Sequence, residues 1–134
     1  MTEVTLRAAA VDAVVAHARE AAPAECCGLL IGRDGAILEA VRARNVAGRP
    51  TRFEIDAKNH IDARRDARAR GLAVVGFYHS HPQSPPEPSA RDRDEASYAD
   101  HLYLIVSLAS DPPGIGVFRL SDGNFQEVRC VTVG

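Results

Sequence analysis

The chain has 134 residues, 46% hydrophobic and 25% charged. At about 150 residues per domain this predicts one compact domain over 1–134, and it excludes collagen-like repeats, extended disorder and a full TIM barrel. A chain of this size buries roughly two-thirds of its unfolded surface, so its core needs no disulfide or structural metal, and the net charge of −2 gives no global pull toward nucleic acid or an anionic membrane. Residues 7–21 read as an amphipathic helix, with Val11, Val14, Val15 and Ala18 on one stripe and Pro23 as its stop. Residues 25–31 read as a buried strand, and Gly32-Arg33-Asp34-Gly35 as a turn into a second strand over 36–41. After a loop at 44–49, a short strand is expected at 52–55, then a charge-laced helix over 57–70 ended by Gly71. Residues 72–79 form a continuous apolar run, the expected central strand. Four prolines within 82–88 then exclude helix and sheet interior. Ser89 opens a short helix to about Asp100, and strands at 102–107, 115–120 and 125–133 complete a mixed α/β (α+β) domain without internal repeats.

Charge is unevenly spread. Residues 42–70 carry 9 Arg or Lys against 4 acids, whereas both flanking stretches are net acidic. The basic stretch could dock an acidic partner or a phosphate backbone, but Asp62, Arg65, Asp66 and Arg70 are spaced for pairs along a solvated helix face. Cys26, Cys27 and Cys130 are odd in number and form no CxxC motif, so neither a zinc ribbon nor a redox pair is indicated. Glu3 and Asp12 interrupt any signal-peptide pattern, and no apolar run approaches 18 residues. The expected setting is a reducing cytoplasm, with no membrane partner.

Chemistry concentrates after the central strand. His79-Ser80-His81 ends it, and period-two alternation turns both imidazoles to one face, where they can share one ion. Asp92 follows in the first turn of the helix opened by Ser89. Two His and one Asp leave a fourth tetrahedral position open, as in a catalytic rather than a structural zinc site. Each piece also has an ordinary explanation: Ser89-Ala90-Arg91-Asp92 is a capping box, with only one carboxylate oxygen expected to point each way. His17, His60 and His101 lack metal-like partners, Cys27 reads as a small core hydrophobe, and Cys26 turns to the other face. A cupin would need a Glu three or four residues after the second His in an all-β chain, a metallo-β-lactamase-like HxHxDH is absent, and so is the deaminase H-x-E with P-C-x-x-C.

His79-Ser80-His81, seven residues, Ser89, two residues, Asp92 resembles the JAMM (MPN+) metallopeptidase pattern without a gap. Glu25-Cys26-Cys27-Gly28-Leu29-Leu30-Ile31-Gly32 resembles the upstream family strand that bears an essential Glu. The resemblance spans nearly the whole chain and implies a minimal prokaryotic member: one mixed-sheet MPN/cytidine-deaminase-like domain with helices flanking the sheet. It implies one Zn2+ per chain on His79, His81 and Asp92 with water as fourth ligand, Glu25 as general base, and Ser89 as hydrogen-bond donor to the oxyanion. Ser80 is expected to be structural. The implied substrate is the C-terminal tail of a small ubiquitin-like or sulfur-carrier protein, which could add as a strand to an open sheet edge. Two other readings are a non-catalytic MPN-type scaffold, which usually lacks a metal ligand, and a RadC-like nucleic-acid-associated protein, from whose H-N-H-P-S-G motif Ser80 and Gln83 depart. Nucleic acid is therefore not the expected partner, and a homodimer is left open.

Overall fold

The computed structural model describes residues 3–134. In chain order the elements are β1 (Val4–Arg7), α1 (Ala8–Ala21), β2 (Cys27–Arg33), β3 (Ala36–Ala43), α2 (Ala57–Ala69), β4 (Ala73–His81), α3 (Ala90–Glu95), β5 (Leu102–Ser107), β6 (Gly114–Ser121), β7 (Asn124–Glu127) and β8 (Cys130–Val133). The strands form one eight-stranded mixed sheet in the order β7-β6-β5-β4-β2-β3-β1-β8. This is the expected α+β architecture, with β4 central. Among the described residues no helix is long and apolar enough to cross a membrane.

Alternation sorts the strand residues into two cores. Tyr78, Leu104 and Val106 face α1 with Cys26, whereas Phe77, Tyr103 and Cys27 face α2. On the α1 side Ala10, Val14 and Ala18 form the buried helical stripe; on the α2 side only Ala63 and Ala67 are fully buried, so α2 lies close to the sheet through small side chains. Two glycines let β2 pack tightly: a side chain at Gly28 would collide with the Tyr78 ring and the Val41 carbonyl, and one at Gly32 with the Ala36 carbonyl.

Three expectations need correction, and one strand was not expected at all. β1 carries too few residues to show a pattern, yet its buried Val4 and Leu6 belong to the α1-side core. Residues 52–55 are not a strand; they touch other backbone through one isolated bridge, Asn45 to Ile55. The third helix stops at Glu95, because Ala96 is already extended at ψ 129°, and the chain turns into β5 at Asp100 with φ 63°. The last strand is two strands on opposite edges of the sheet: β7 pairs with β6, and β8 pairs in parallel with β1. Val128 and Arg129 join them, with Val128 N–H donating to Val117 O at 2.8 Å and Val4 N–H donating to Arg129 O at 3.0 Å. Two linking residues span about 10 Å at most, so the sheet curls until its edges meet.

Candidate functional site

β4 positions the two imidazoles. It is paired on both flanks up to its end, Cys27 opposite His79 on one side and His81 opposite Ser107 on the other, which leaves little freedom to its backbone. His79 and His81 are both buried and point to the α2 side, as the alternation predicts. Their Nε2 atoms lie 3.1 Å apart, and Asp92 Oδ2 lies 3.1 Å from the first and 3.0 Å from the second. Among the described residues these three form the one His/Cys/Asp/Glu group close enough to hold a metal ion.

The proline-rich loop brings Asp92 to the strand end. Ser107 Oγ donates to Ser84 O at 2.6 Å, and Gly116 has no side chain because one there would meet the Pro86 carbonyl. His81 Nδ1 lies 2.8 Å from Pro85 O. A carbonyl only accepts, so Nδ1 donates to it and Nε2 is the nitrogen turned toward the cluster. The capping box is present: Asp92 N–H donates to Ser89 Oγ at 3.0 Å, and Ser89 N–H donates to Asp92 Oδ2 at 2.9 Å. The expectation that cap and cluster would need different carboxylate oxygens is corrected, since Oδ2 faces both. Both imidazoles and the Ser89 N–H converge on this one oxygen, and the α3 N-terminus favours negative charge there.

Electrostatics follow from this geometry. Burial disfavours charge on all three groups. For His79 burial prevails and its pKa is lowered. For His81 the hydrogen bonds to Asp92 and Pro85 outweigh burial and hold it above its ordinary value. For Asp92, hydrogen bonds from the two His and the Ser89 backbone outweigh burial and hold the carboxyl well below the usual range.

Glu25 lies two residues before the start of β2. The register of Cys27 opposite His79 continues through a Ser80 N–H to Cys26 O bond at 3.1 Å, which sets Glu25 opposite His81. Half-burial pushes its carboxyl up to about 7, with the neighbouring charges of His81 and Asp92 acting in opposite directions. Ser80 holds this corner from the other face: its Oγ accepts Cys26 N–H at 2.9 Å. That is the structural part expected of Ser80, now with a named partner.

Two contributors lie in the segment between β3 and α2. Asn45 uses all four of its hydrogen-bonding capacities: Nδ2 donates to Glu25 O (3.0 Å) and Arg52 O (2.8 Å), and Oδ1 accepts from Ala47 N–H and Glu54 N–H (both 3.0 Å). Phe53 stacks on His79, with ring centroids 4.3 Å apart and planes 16° apart. Asn45 was not singled out in the sequence, where an Asn in a loop carries no motif, and Phe53 was read only as part of the short strand expected at 52–55. His60 and His101 stand apart from the metal cluster, bridged by Arg64: its Nε donates to His60 Nε2 at 2.8 Å and its Nη2 lies 3.2 Å from His101 Nε2. His17 is elsewhere, with Nδ1 2.7 Å from the Tyr78 hydroxyl. Much of the basic stretch is paired within the chain, through Arg42–Glu20, Arg44–Asp56, Arg52–Glu95, Lys58–Asp62 and Arg70–Glu39.

The fold and its His-His-Asp cluster define a JAMM-type isopeptidase. Comparison with known proteins agrees: residues 7–121 match the family described as prokaryotic homologs of the JAB domain, and the chain belongs to that family. It is 41% identical over 113 residues to the desampylase of Haloferax volcanii, covering 79% of this chain and 81% of that one. It is 32% identical over 126 residues to the CysO-cysteine peptidase of Mycobacterium tuberculosis, covering 91% and 86%. The solution structure of a Desulfitobacterium hafniense protein superposes with a TM-score of 0.89 at 33% identity, covering 97% of this chain and 92% of that one.

Proposed function

We propose that residues 1–134 act as a one-domain zinc peptidase that hydrolyses the peptide or isopeptide bond at the C-terminus of a small ubiquitin-like or sulfur-carrier protein. The observation that carries this reading is the triangle of His79 Nε2, His81 Nε2 and Asp92 Oδ2, with edges of 3.0–3.1 Å, beside a half-buried Glu25. Tetrahedral ligands at 2.0–2.1 Å from zinc stand about 3.3 Å apart, so the triangle fits that ion with a slight expansion. Two imidazoles and a carboxylate also suit zinc by donor type. The relatives, a desampylase and a CysO-cysteine peptidase, support the substrate class.

Zinc, when bound, supplies a Lewis acid that lowers the pKa of water to about 7. The chain's own groups do the rest. Glu25 Oε takes a proton from the attacking water and passes it to the nitrogen of the leaving amine as the C–N bond breaks. Ser89 Oγ accepts from Asp92 N–H through a lone pair, so its hydroxyl proton stays available to donate to the oxyanion on the scissile carbonyl. His81 is kept in the ligand tautomer by Pro85 O, and Phe53 covers one face of His79. The tail cannot extend the sheet beside the cluster, because β4 is flanked by β2 and β5, and the free edges belong to β7 and β8.

The test combines metal analysis with trimming of carrier-protein conjugates followed by mass spectrometry. Wild type should hold one zinc and release the conjugated group, and Glu25→Gln should keep zinc but lose release. A metal-replete wild type that trims no ubiquitin-like tail defeats the substrate assignment; an active Glu25→Gln defeats the general-base role.

A further inference from the structure

A pocket of about 380 Å³ opens beside the metal cluster, and His79 and Asp92 line it. Its floor is Phe77, Tyr103, Ile105 and Phe125, from the part of the sheet face beyond α2. Phe53 and Ile55 form one wall, and Ala96 and Tyr98 the facing one. The volume lies at the low end for ligand pockets and suits one or two side chains.

Three observations select the occupant. Continuity is the first: with His79 and Asp92 shared, whatever fills the pocket is attached to the group being cleaved. The second is a preformed aromatic wall. Tyr98 is 41% exposed, an unusual place for a large aromatic, yet it is held by Phe77 at 4.9 Å, His60 at 5.4 Å, His101 at 5.5 Å and the Arg64 guanidinium at 5.5 Å. A wall already ordered loses little entropy on binding. The third is a spare donor: Arg52 lines the pocket, its Nη2 joins the two walls by bonding Glu95 Oε2 at 2.7 Å, and its Nε is buried with no partner among the described residues. A buried donor left open is costly unless an acceptor arrives, and a peptide carbonyl is one.

We propose that this pocket is a specificity pocket for one large apolar side chain, aliphatic or aromatic, in the substrate tail on the acyl side of the scissile bond. The assignment rests on the peptidase reading above. Its side follows from Glu25, which delivers the proton to the leaving amine: Glu25 does not line the pocket, so the leaving group lies away from it. Arg52 Nε meets a main-chain carbonyl of the same tail, and the Arg52–Glu95 pair bounds the rim.

The test uses zinc-loaded enzyme and tail peptides in which each of the five residues before the scissile bond is in turn Ala, Leu, Phe or Lys. At one position Leu and Phe should raise kcat/KM about tenfold or more over Ala. Ala96→Trp, which fills the hollow, should bring that ratio close to one, and Tyr98→Ala, which removes one wall, should reduce it. Binding of the same peptides to metal-free protein, followed by NMR shifts of Phe77, Tyr103 and Phe125, reads the pocket without catalysis. Equal rates for Ala, Leu and Phe at all five positions, a gain untouched by Ala96→Trp, or a preference for Lys each overturns the pocket while leaving the peptidase reading intact. Cleavage of no peptide at all defeats the peptidase reading. The binding arm then decides the pocket: identical shifts for Ala and Phe peptides overturn it, and selective shifts with the Phe peptide support it.

Discussion

Replacing Glu25 with Gln in the metal-free protein should make it more stable, and the gain should depend on pH. Below its ordinary value of 4.5, Glu25 is neutral in folded and unfolded chains alike, and the Gln variant should match wild type. As pH rises, the unfolded chain ionises first; the folded one resists until about 7, because burial penalises the carboxylate. The stability contributed by the neutral form is therefore complete below 4.5 and lost as pH passes about 7. The full shift corresponds to about 3.4 kcal/mol at 1.36 per unit. Glu25 is only half-buried, and solvent screening reduces this to about 1–2 kcal/mol. For a chain of this size each kcal/mol moves Tm by about 3–5 °C. Calorimetry at pH 4, 6 and 8 should show Glu25→Gln melting close to wild type at the lowest pH and roughly 3–10 °C higher at pH 8. An equal difference at every pH, or a lower melting point at pH 8, would refute the reasoning. A side chain that costs stability where it stands fits a catalytic use of that position.

His81→Ala and Asp92→Asn should each lower zinc from one per chain to a small fraction after dialysis, read by elemental analysis, with Asp92→Asn also weakening the α3 cap. Ser80→Ala leaves the buried Cys26 N–H without its acceptor and should cost about 1–3 kcal/mol in urea unfolding, with kcat falling more than zinc content. Asn45→Ala frees four backbone groups at once and should cost about 2–4 kcal/mol, with faster hydrogen exchange confined to residues 45–54 and Glu25. Phe53→Ala should weaken zinc affinity about tenfold in a chelator competition, and Phe53→Tyr should restore most of it.

The convergence of His79, His81 and Asp92 was legible because its geometry is local. His79 and His81 share a face by alternation alone, and Ser89 to Asp92 is a cap that any helix start could carry. Glu25 was legible through the family pattern, but the reason it faces His81 lies in the β2–β4 register, which pairs residues more than forty apart. Asn45 and Phe53 act through contacts between a loop and distant elements, which neither a lone Asn nor the short strand expected at 52–55 announces. Residues 125–133 read as one strand because their side chains suit a strand throughout. Only the curl of the sheet, a property of all eight strands together, places a break at 128–129.

That closure bears on how the molecule assembles. Val4 pairs with Cys130, across nearly the whole chain, so the sheet is joined by one of the most distant contacts available to it. Loop closure of that length is slow and gains nothing until the partners meet. The hairpin of β2 and β3, and β4 beside it, can form while β1 still waits for β8. The strands that carry Glu25's neighbours and the two His can therefore be in register before the seam closes. The seam, by contrast, waits on the two ends of the chain.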